Sequence, residues 1–215
     1  ALGIPMFQGY GLSEASPVIS SNTPGRYRFG SSGILVKPID LKVCDEEGQE
    51  LPQGQKGELW IKGGNVMAGY WRNEKSTAET IVDGWLHTGD LGTMDAEGYV
   101  TVRGRSKNML LTSSGQNIYP EEIESKLNNM PYVSESLIVL QKEKLVALIY
   151  PDFDDAFAHG LQQTDIIKVM EANRIELNQQ LPNYSQISKV KIHFEEFEKT
   201  AKKSIKRFMY QEAKG

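Results

Sequence analysis

Over residues 29–104 the apolar positions fall in short alternating runs, broken at close intervals by turn residues. Leu35 to Val43 is apolar-rich, Asp45-Glu-Glu-Gly48 predicts a turn, and Gly57-Glu-Leu-Trp-Ile-Lys62 alternates as a half-buried strand does. Asp95-Ala-Glu-Gly98 predicts a second turn, leading into a short strand over Tyr99-Val-Thr-Val-Arg103. Glu74 to Val82, with Ser76 and Thr77 near its start, predicts a short helix. Strands this closely spaced predict a β-rich, barrel-like subdomain or a distorted sheet.

After Arg103 the pattern changes. Pro120 to Met130 opens with proline at a first helical position and acids in the first turn, and Ile123, Leu127 and Met130 share one face. Two strands are predicted over Ser136–Gln141 and Lys144–Tyr150. A second helix is predicted from a Thr164 or Asp165 cap to Leu181, with Ile166, Met170, Leu177 and Leu181 as its stripe. Val190, Ile192 and Phe194 alternate in a closing strand. The whole reads as α+β: residues 1–104 form the barrel-like body, and residues 105–215 form a small α+β domain, with the boundary near Gly104–Asn108.

Composition narrows the function classes. The chain has 215 residues and a net charge of −4. Residues 1–104 hold 9 Lys/Arg against 13 Asp/Glu, and residues 105–215 hold 15 against 15, so neither part has the basic excess of a nucleic-acid binder. The single cysteine, Cys44, excludes an internal disulfide framework and points to a reducing, cytoplasmic setting, with Cys44 itself a small packed residue at a strand end. No run of about 18 apolar residues could span a membrane. Peripheral membrane contact is left open, although no basic amphipathic helix argues for it. The opening, Ala1-Leu-Gly-Ile-Pro-Met, has neither an initiator methionine nor a basic leader and reads as the interior of a longer protein.

Several stretches exceed what composition explains. Gly9-Tyr-Gly-Leu-Ser-Glu14 could form a sharp turn that lays Tyr10 flat on a planar ligand with backbone N–H groups outward. Its Ser13-Glu14 pair suits a phosphate oxygen and a Mg²⁺ ion. In Gly84-Trp-Leu-His-Thr-Gly-Asp-Leu-Gly92, a carboxylate held by a glycine-containing turn could grip a cis-diol through Asp90, with His87 a positioning residue. Each of these is also compatible with an ordinary turn. Near the end, Lys199-Thr-Ala-Lys-Lys-Ser-Ile-Lys-Arg207 packs five cations into nine residues.

Taken in order and spacing, GYGLSEASP, GELWIKGGNVMAGYW, GWLHTGDLG, GRSKNMLLTSSGQNIYPEEIE and, less closely, KTAKKSIKR resemble the C-terminal part of the adenylate-forming superfamily, the AMP-binding acyl-CoA synthetases. ASPVIS, FGSSG and NIYPEEIE look most like its long-chain fatty-acid–CoA ligase branch. The resemblance covers nearly the whole chain. It implies an enzyme that activates a fatty acid with ATP to an acyl-adenylate, using Mg²⁺, and then transfers the acyl group to coenzyme A.

By motif match, Tyr10 and Gly11 would line the adenine pocket, Ser13 would touch the α-phosphate, and Glu14 would hold Mg²⁺. Asp90 would bind the ribose hydroxyls and Arg105 would add a second grip. Lys107 would be the hinge, and Ser113-Ser-Gly115 would face the pantetheine channel. The terminal motif departs from the family pattern: Lys203 stands where glycine is expected, and Ser204 where the catalytic lysine is expected. Lys203 is the cation expected to reach the same point, with Lys202 and Lys206 the weaker substitutes.

The family's phosphate loop and most of its acid-binding tunnel are not among these motifs. The chain is therefore expected to be the C-terminal portion of a ligase, with the N-terminal part of the same enzyme as its partner, and to be inactive alone. The alternatives are an acyl–acyl-carrier-protein ligase, a medium-chain or aryl acid ligase, or a noncatalytic interaction module of the same fold.

Overall fold

A computed structural model describes residues 5–112, 115–200 and 203–211. The chain divides into two compact units, one ending at Lys107 and the other beginning at Asn108, each with its own core.

In the first unit, β1 (Gly9–Gly11), β2 (Val18–Ser21) and β3 (Ile34–Leu35) form a three-stranded antiparallel sheet. A larger sheet takes β4 (Asp40–Cys44), β5 (Gly57–Lys62), β6 (Ile81–Val82), β7 (Trp85–Met94) and β8 (Val100–Arg105), with β7 pairing β5, β6 and β8. The unit is β-rich, as the alternating runs imply, but no closed barrel forms among the described residues. The alternation places Leu41, Val43, Leu59, Ile61, Leu86 and Val100 in one core with Ala15 and Ile19. Cys44 ends β4 and is buried.

The helix expected up to Val82 is α1 (Glu74–Thr80), capped by Asn73, whose side chain accepts from the Ser76 N–H. It stops early because Ile81 and Val82, both β-branched, pair with β7 through a two-residue turn. Asp83 and Gly84 take φ of 52° and 78° there, the backbone hand that suits a tight hairpin.

In the second unit, the hairpin of β9 (Leu110–Leu111) and β10 (Asn117–Ile118) precedes α2 (Pro120–Leu127). A three-stranded sheet follows, β11 (Val133–Gln141) antiparallel to β12 (Lys144–Pro151) and β12 parallel to β13 (Lys189–Ile192). The parallel step requires a crossover, supplied by α3 (Phe153–Ala158) and α4 (Gln163–Gln179). The periodicity did not anticipate α3, which is too short to show a face and is fixed by Asp152 capping the Asp155 N–H. Gln162 caps α4 and Asp165 reciprocates from the third position, so Asp165 is part of the cap without being its first residue. Phe194 lies beyond β13 and is exposed, resting on the Phe153 ring.

Both faces of this sheet are covered. Ile138, Ala147 and Ile149 pack against Ile123 and Leu127 of α2 and Ile166, Met170 and Leu177 of α4. Leu137, Val139, Val146 and Leu148 face Phe197, with Ile205 and Tyr210 of the terminal segment against them. Burial on two faces explains why β11 and β12 read as continuous apolar runs. Glu124 of α2 is buried and accepts the Ile138 N–H at 2.7 Å. Burial pushes its carboxyl above the ordinary range, and the guanidinium of Arg207 and the Ile138 N–H draw it partly back.

Ile138 is fully buried at the centre of the helix-side core. Ile138→Ala is expected to cost about 2–5 kcal/mol of stability, read as a lowered urea midpoint at unchanged slope.

Candidate functional site

The first unit gathers the residues singled out around its two sheets. Gly9–Gly11 is a strand and not the expected turn, because its backbone pairs with β2. A shift in register at Tyr10/Gly11 brings the chain against Pro17, where a Cβ on Gly11 would stand 1.9 Å from the Pro17 carbonyl oxygen. Gly11 is therefore required by close packing of the backbone. Ser13 and Glu14 follow in a single 3₁₀ turn, Ser13 exposed and Glu14 half-buried. Tyr10 does not lie open as a platform; it is half-buried and its hydroxyl donates to Asp90 Oδ2 at 2.6 Å.

Asp90, expected on a turn, stands inside the ten-residue β7. What aims it is a bulge: Thr88, Gly89 and Asp90 lie opposite the single Leu59 of β5. Gly89 takes φ of 68°, and its N–H donates to Glu58 Oε1 at 2.8 Å. Thr88 donates its hydroxyl to the Leu59 carbonyl at 2.7 Å and accepts the Asp90 N–H at 3.0 Å. The Asp90 carboxylate is thereby swung toward Tyr10 and Arg105.

Arg105 is the cross-strand partner of Asp90 on β8, and its Nε lies 2.6 Å from Asp90 Oδ1. The Asp90 side chain is 6% exposed and that of Arg105 42%, so the guanidinium is the outward member of the pair. Arg105 also donates to the Thr88 carbonyl at 3.1 Å. Burial and then the Asp90 charge push the Tyr10 phenol well above the ordinary range, which keeps it a donor.

Tyr70 was not singled out by sequence reasoning. Its hydroxyl donates to Glu14 Oε1 at 3.2 Å, and its phenol is pushed up by burial and then by Glu14. The Arg105 charge is the smallest of the influences on the Tyr10 and Tyr70 phenols, and draws each slightly back. The signal was weak, one of two adjacent aromatics in Gly69-Tyr-Trp71 with no charged neighbour closer than Arg72.

His87 is stacked on Trp60, with ring centroids 3.7 Å apart, and the Lys42 ammonium lies 4.7 Å from the Trp60 ring. Burial lowers its pKa from the ordinary 6.5, with Lys42 acting in the same sense and Glu58 against it. This is a packed imidazole without a base's geometry. No group of three or more His, Cys, Asp or Glu side chains among the described residues could enclose a metal ion.

In the second unit, Gly115 is exposed at the tip of the β9–β10 hairpin, where its N–H donates to the Thr112 carbonyl at 2.9 Å. Ser113 and Ser114 lie outside the described residues, as do Ala201 and Lys202. The terminal basic run closes as a small loop, with Lys199 bridged to Ile205 and the Thr200 N–H donating to the Ser204 carbonyl at 2.8 Å. Lys199 pairs with Glu135 at 2.7 Å, Lys206 with Glu198 at 3.3 Å, and Arg207 with Glu124. Lys203 is exposed with φ of 59° and has no ion-pair or side-chain hydrogen-bond partner among the described residues.

The model for AMP-binding enzymes matches residues 1–71, and the model for their C-terminal domain matches residues 107–213. A long-chain-fatty-acid–CoA ligase from Escherichia coli O6:H1 is 44% identical over 131 residues, 60% of this chain and 23% of that protein. A feruloyl-CoA synthase from an Amycolatopsis species is 38% identical over 139 residues, 64% of this chain and 28% of that protein. The chain thus spans about a quarter of the length of these curated relatives. Among solved structures, the anthranilate CoA ligase AuaEII bound to anthranoyl-AMP matches at TM-score 0.81 and 30% identity over 97% of this chain and 38% of its own. The O-succinylbenzoate coenzyme A synthetase of Bacillus subtilis bound to AMP matches at 0.81 and 27%, over 98% and 42%.

Two measurements check the site's energetics. Arg105→Met leaves the buried Asp90 without its cation and is expected to cost about 1–3 kcal/mol, read by urea unfolding. For His87, a folded pKa below the unfolded one gives stability that is complete above the unfolded value and is lost as pH falls through it. Between about pH 7.5 and about pH 5.5, the wild-type chain is therefore expected to lose stability relative to His87→Phe, which keeps the ring stack.

Proposed function

The chain belongs to the AMP-binding enzyme family, and we propose that the full protein activates a long-chain fatty acid with ATP and transfers the acyl group to coenzyme A. The convergence of Tyr10, Asp90 and Arg105, with Glu14 four residues beyond Tyr10 and met by Tyr70, carries this reading. A carboxylate has no usable leaving group at neutral pH, whereas an acyl-phosphate mixed anhydride has one. In-line attack at the α-phosphorus gathers negative charge on nonbridging oxygens, so the protein's task is positioning and cationic stabilisation.

The residues fit a nucleotide and its metal. Mg²⁺ is ordinarily held by one or two carboxylates together with substrate phosphates, and Glu14 is one half-buried carboxylate whose long 3.2 Å partner is a neutral hydroxyl. Glu14 would hold the ion, which would screen the phosphate charge, and Ser13 would touch the α-phosphate. Arg105 would reach the ribose with Asp90 fixed behind it, and Tyr10 and Gly11 would border the adenine. Lys203 would supply the cation of the first step, being the described member of the basic run whose charge is not spent on a neighbouring carboxylate. The second unit, turning about Lys107, would then present the Gly115 hairpin to the thiol.

Similarity to the E. coli ligase supports the fatty-acid assignment, and similarity to the feruloyl-CoA synthase favours an aryl acid as the second reading. We place the enzyme in the cytoplasm, with peripheral membrane contact as its route to insoluble acids. No described helix is long and apolar enough to cross a membrane.

The test is ATP–pyrophosphate exchange by the full-length protein with a panel of fatty and aryl acids, followed by transfer to coenzyme A or to a carrier protein. Exchange is expected with long-chain acids, falling about 100-fold or more in Glu14→Gln and Lys203→Ala. The 215-residue chain alone is expected to give none. Absence of exchange with every acid would sink the proposal, and exchange with aryl acids alone would select the second reading.

A further inference from the structure

Resting on the reading in which Lys203 serves the adenylation step, we infer that Arg207 is a positioning residue that clamps the loop bearing Lys203. The loop from Lys199 to Lys206 has two ionic feet. At one, Lys199 Nζ lies 2.7 Å from Glu135 of β11 and 3.2 Å from Glu196. At the other, Arg207 spans the Glu124 carboxylate with both terminal nitrogens, one of them 2.8 Å from Oε1. Between the feet, Lys203 takes a left-handed conformation.

The Arg207 foot has the means to set the geometry. Its side chain is 15% exposed and that of Glu124 is 9%, so the pair is shielded from competing water and salt. A two-pronged guanidinium–carboxylate contact fixes orientation as well as distance, which a lysine could not do. Glu124 is itself immobilised by the N–H of Ile138, on the sheet's outer strand. Glu121, one turn earlier on α2, lies 3.8 Å from Arg207 and accepts from Asn108 at 2.6 Å. The first residue of the second unit and the foot of the Lys203 loop therefore meet on one helix. Ile205 and Tyr210 add an apolar footing beside Phe197.

By contrast, Lys206 reaches only Glu198 at 3.3 Å, and both side chains are substantially exposed. That contact contributes little. The Lys203 side chain has no ion-pair or hydrogen-bond partner among the described residues, and its N–H donates to the Thr200 carbonyl at 2.9 Å. The orientation of Lys203 is thus set through the loop's backbone and its two feet, and of the described ionic contacts that of Arg207 reaches the most buried carboxylate.

The clamp is tested first in the 215-residue chain by limited trypsin digestion. Cleavage after Lys203 is compared with cleavage after Lys142, an exposed lysine in the β11–β12 turn. Arg207→Gln and Glu124→Gln are each expected to raise the Lys203-to-Lys142 cleavage ratio by about threefold or more. An unchanged ratio, or equal acceleration at both lysines, overturns the clamp. In the full-length enzyme, Arg207→Gln is expected to slow ATP–pyrophosphate exchange about tenfold while leaving transfer from supplied acyl-adenylate to coenzyme A within about twofold. Equal loss in both half-reactions overturns the positioning role. If the wild-type protein forms no adenylate, the ligase reading fails and takes Lys203's chemical task with it, while the trypsin ratio still decides whether the clamp exists.

Discussion

A carboxylate taken out of water must find donors where it is buried, and Asp90 does so with Arg105 on one oxygen and Tyr10 on the other. That requirement organises the first unit. It calls for β8 to run beside β7 in the register that sets Arg105 opposite Asp90. It calls for β1 to carry Tyr10 within reach of β7, although 80 residues separate Tyr10 from Asp90. The bulge at Thr88–Asp90 supplies the rotation, and its irregular backbone is satisfied locally by Glu58, Leu59 and Thr88. Removing one partner would strand the other, which is why such pairs are expensive to break even where they add little net stability.

The second unit meets the same constraint at Glu124. Its carboxylate absorbs an edge-strand N–H that would otherwise be left open, and so has a structural task before any chemical one. Arg207 then neutralises it. In both units an arginine distant in sequence meets a carboxylate near an irregularity or an edge. The arginines nonetheless differ in what they leave over. Arg105 is half in solvent and able to meet a ligand, whereas Arg207 is spent on the fold.

Much of this was legible in the sequence. Gly57–Lys62 was readable residue for residue because one face is buried and the other solvated, which leaves a period of two. The start of α2 was readable from Pro120 and its acids. What was hidden depended on tertiary pairing. Gly9-Tyr-Gly looked like a turn because two glycines permit one, yet its backbone pairs with β2 and Gly11 is needed against Pro17. Asp90 looked like a turn residue because Gly89 allows a left-handed step, and that step is used for a bulge within a long strand. The site residues could be named from motif order, but whether Asp90 or Arg105 faces outward is a matter of burial that spacing does not encode. Tyr70 had only a weak signature, since its role arises where the segment before α1 meets the Ser13–Ala15 turn.

The terminal run poses the question of what five clustered cations do on a chain of net charge −4. A phosphate track needs charges that are free to replace condensed counterions, because that release supplies the affinity. Three of the four described cations here are already matched: Lys199 to Glu135 and Glu196, Lys206 to Glu198, and Arg207 to Glu124. Their field is largely cancelled within a few ångströms, and what the described loop projects is the single charge of Lys203. A lysine at φ of 59° holds a backbone position that costs an L-residue about 1 kcal/mol, so the loop bears strain at the residue that carries its only uncommitted charge among those described. That arrangement suits one cation delivered to one point. It follows from neighbouring carboxylates having drained the run of its other charges, which neither the count of lysines nor their spacing could reveal.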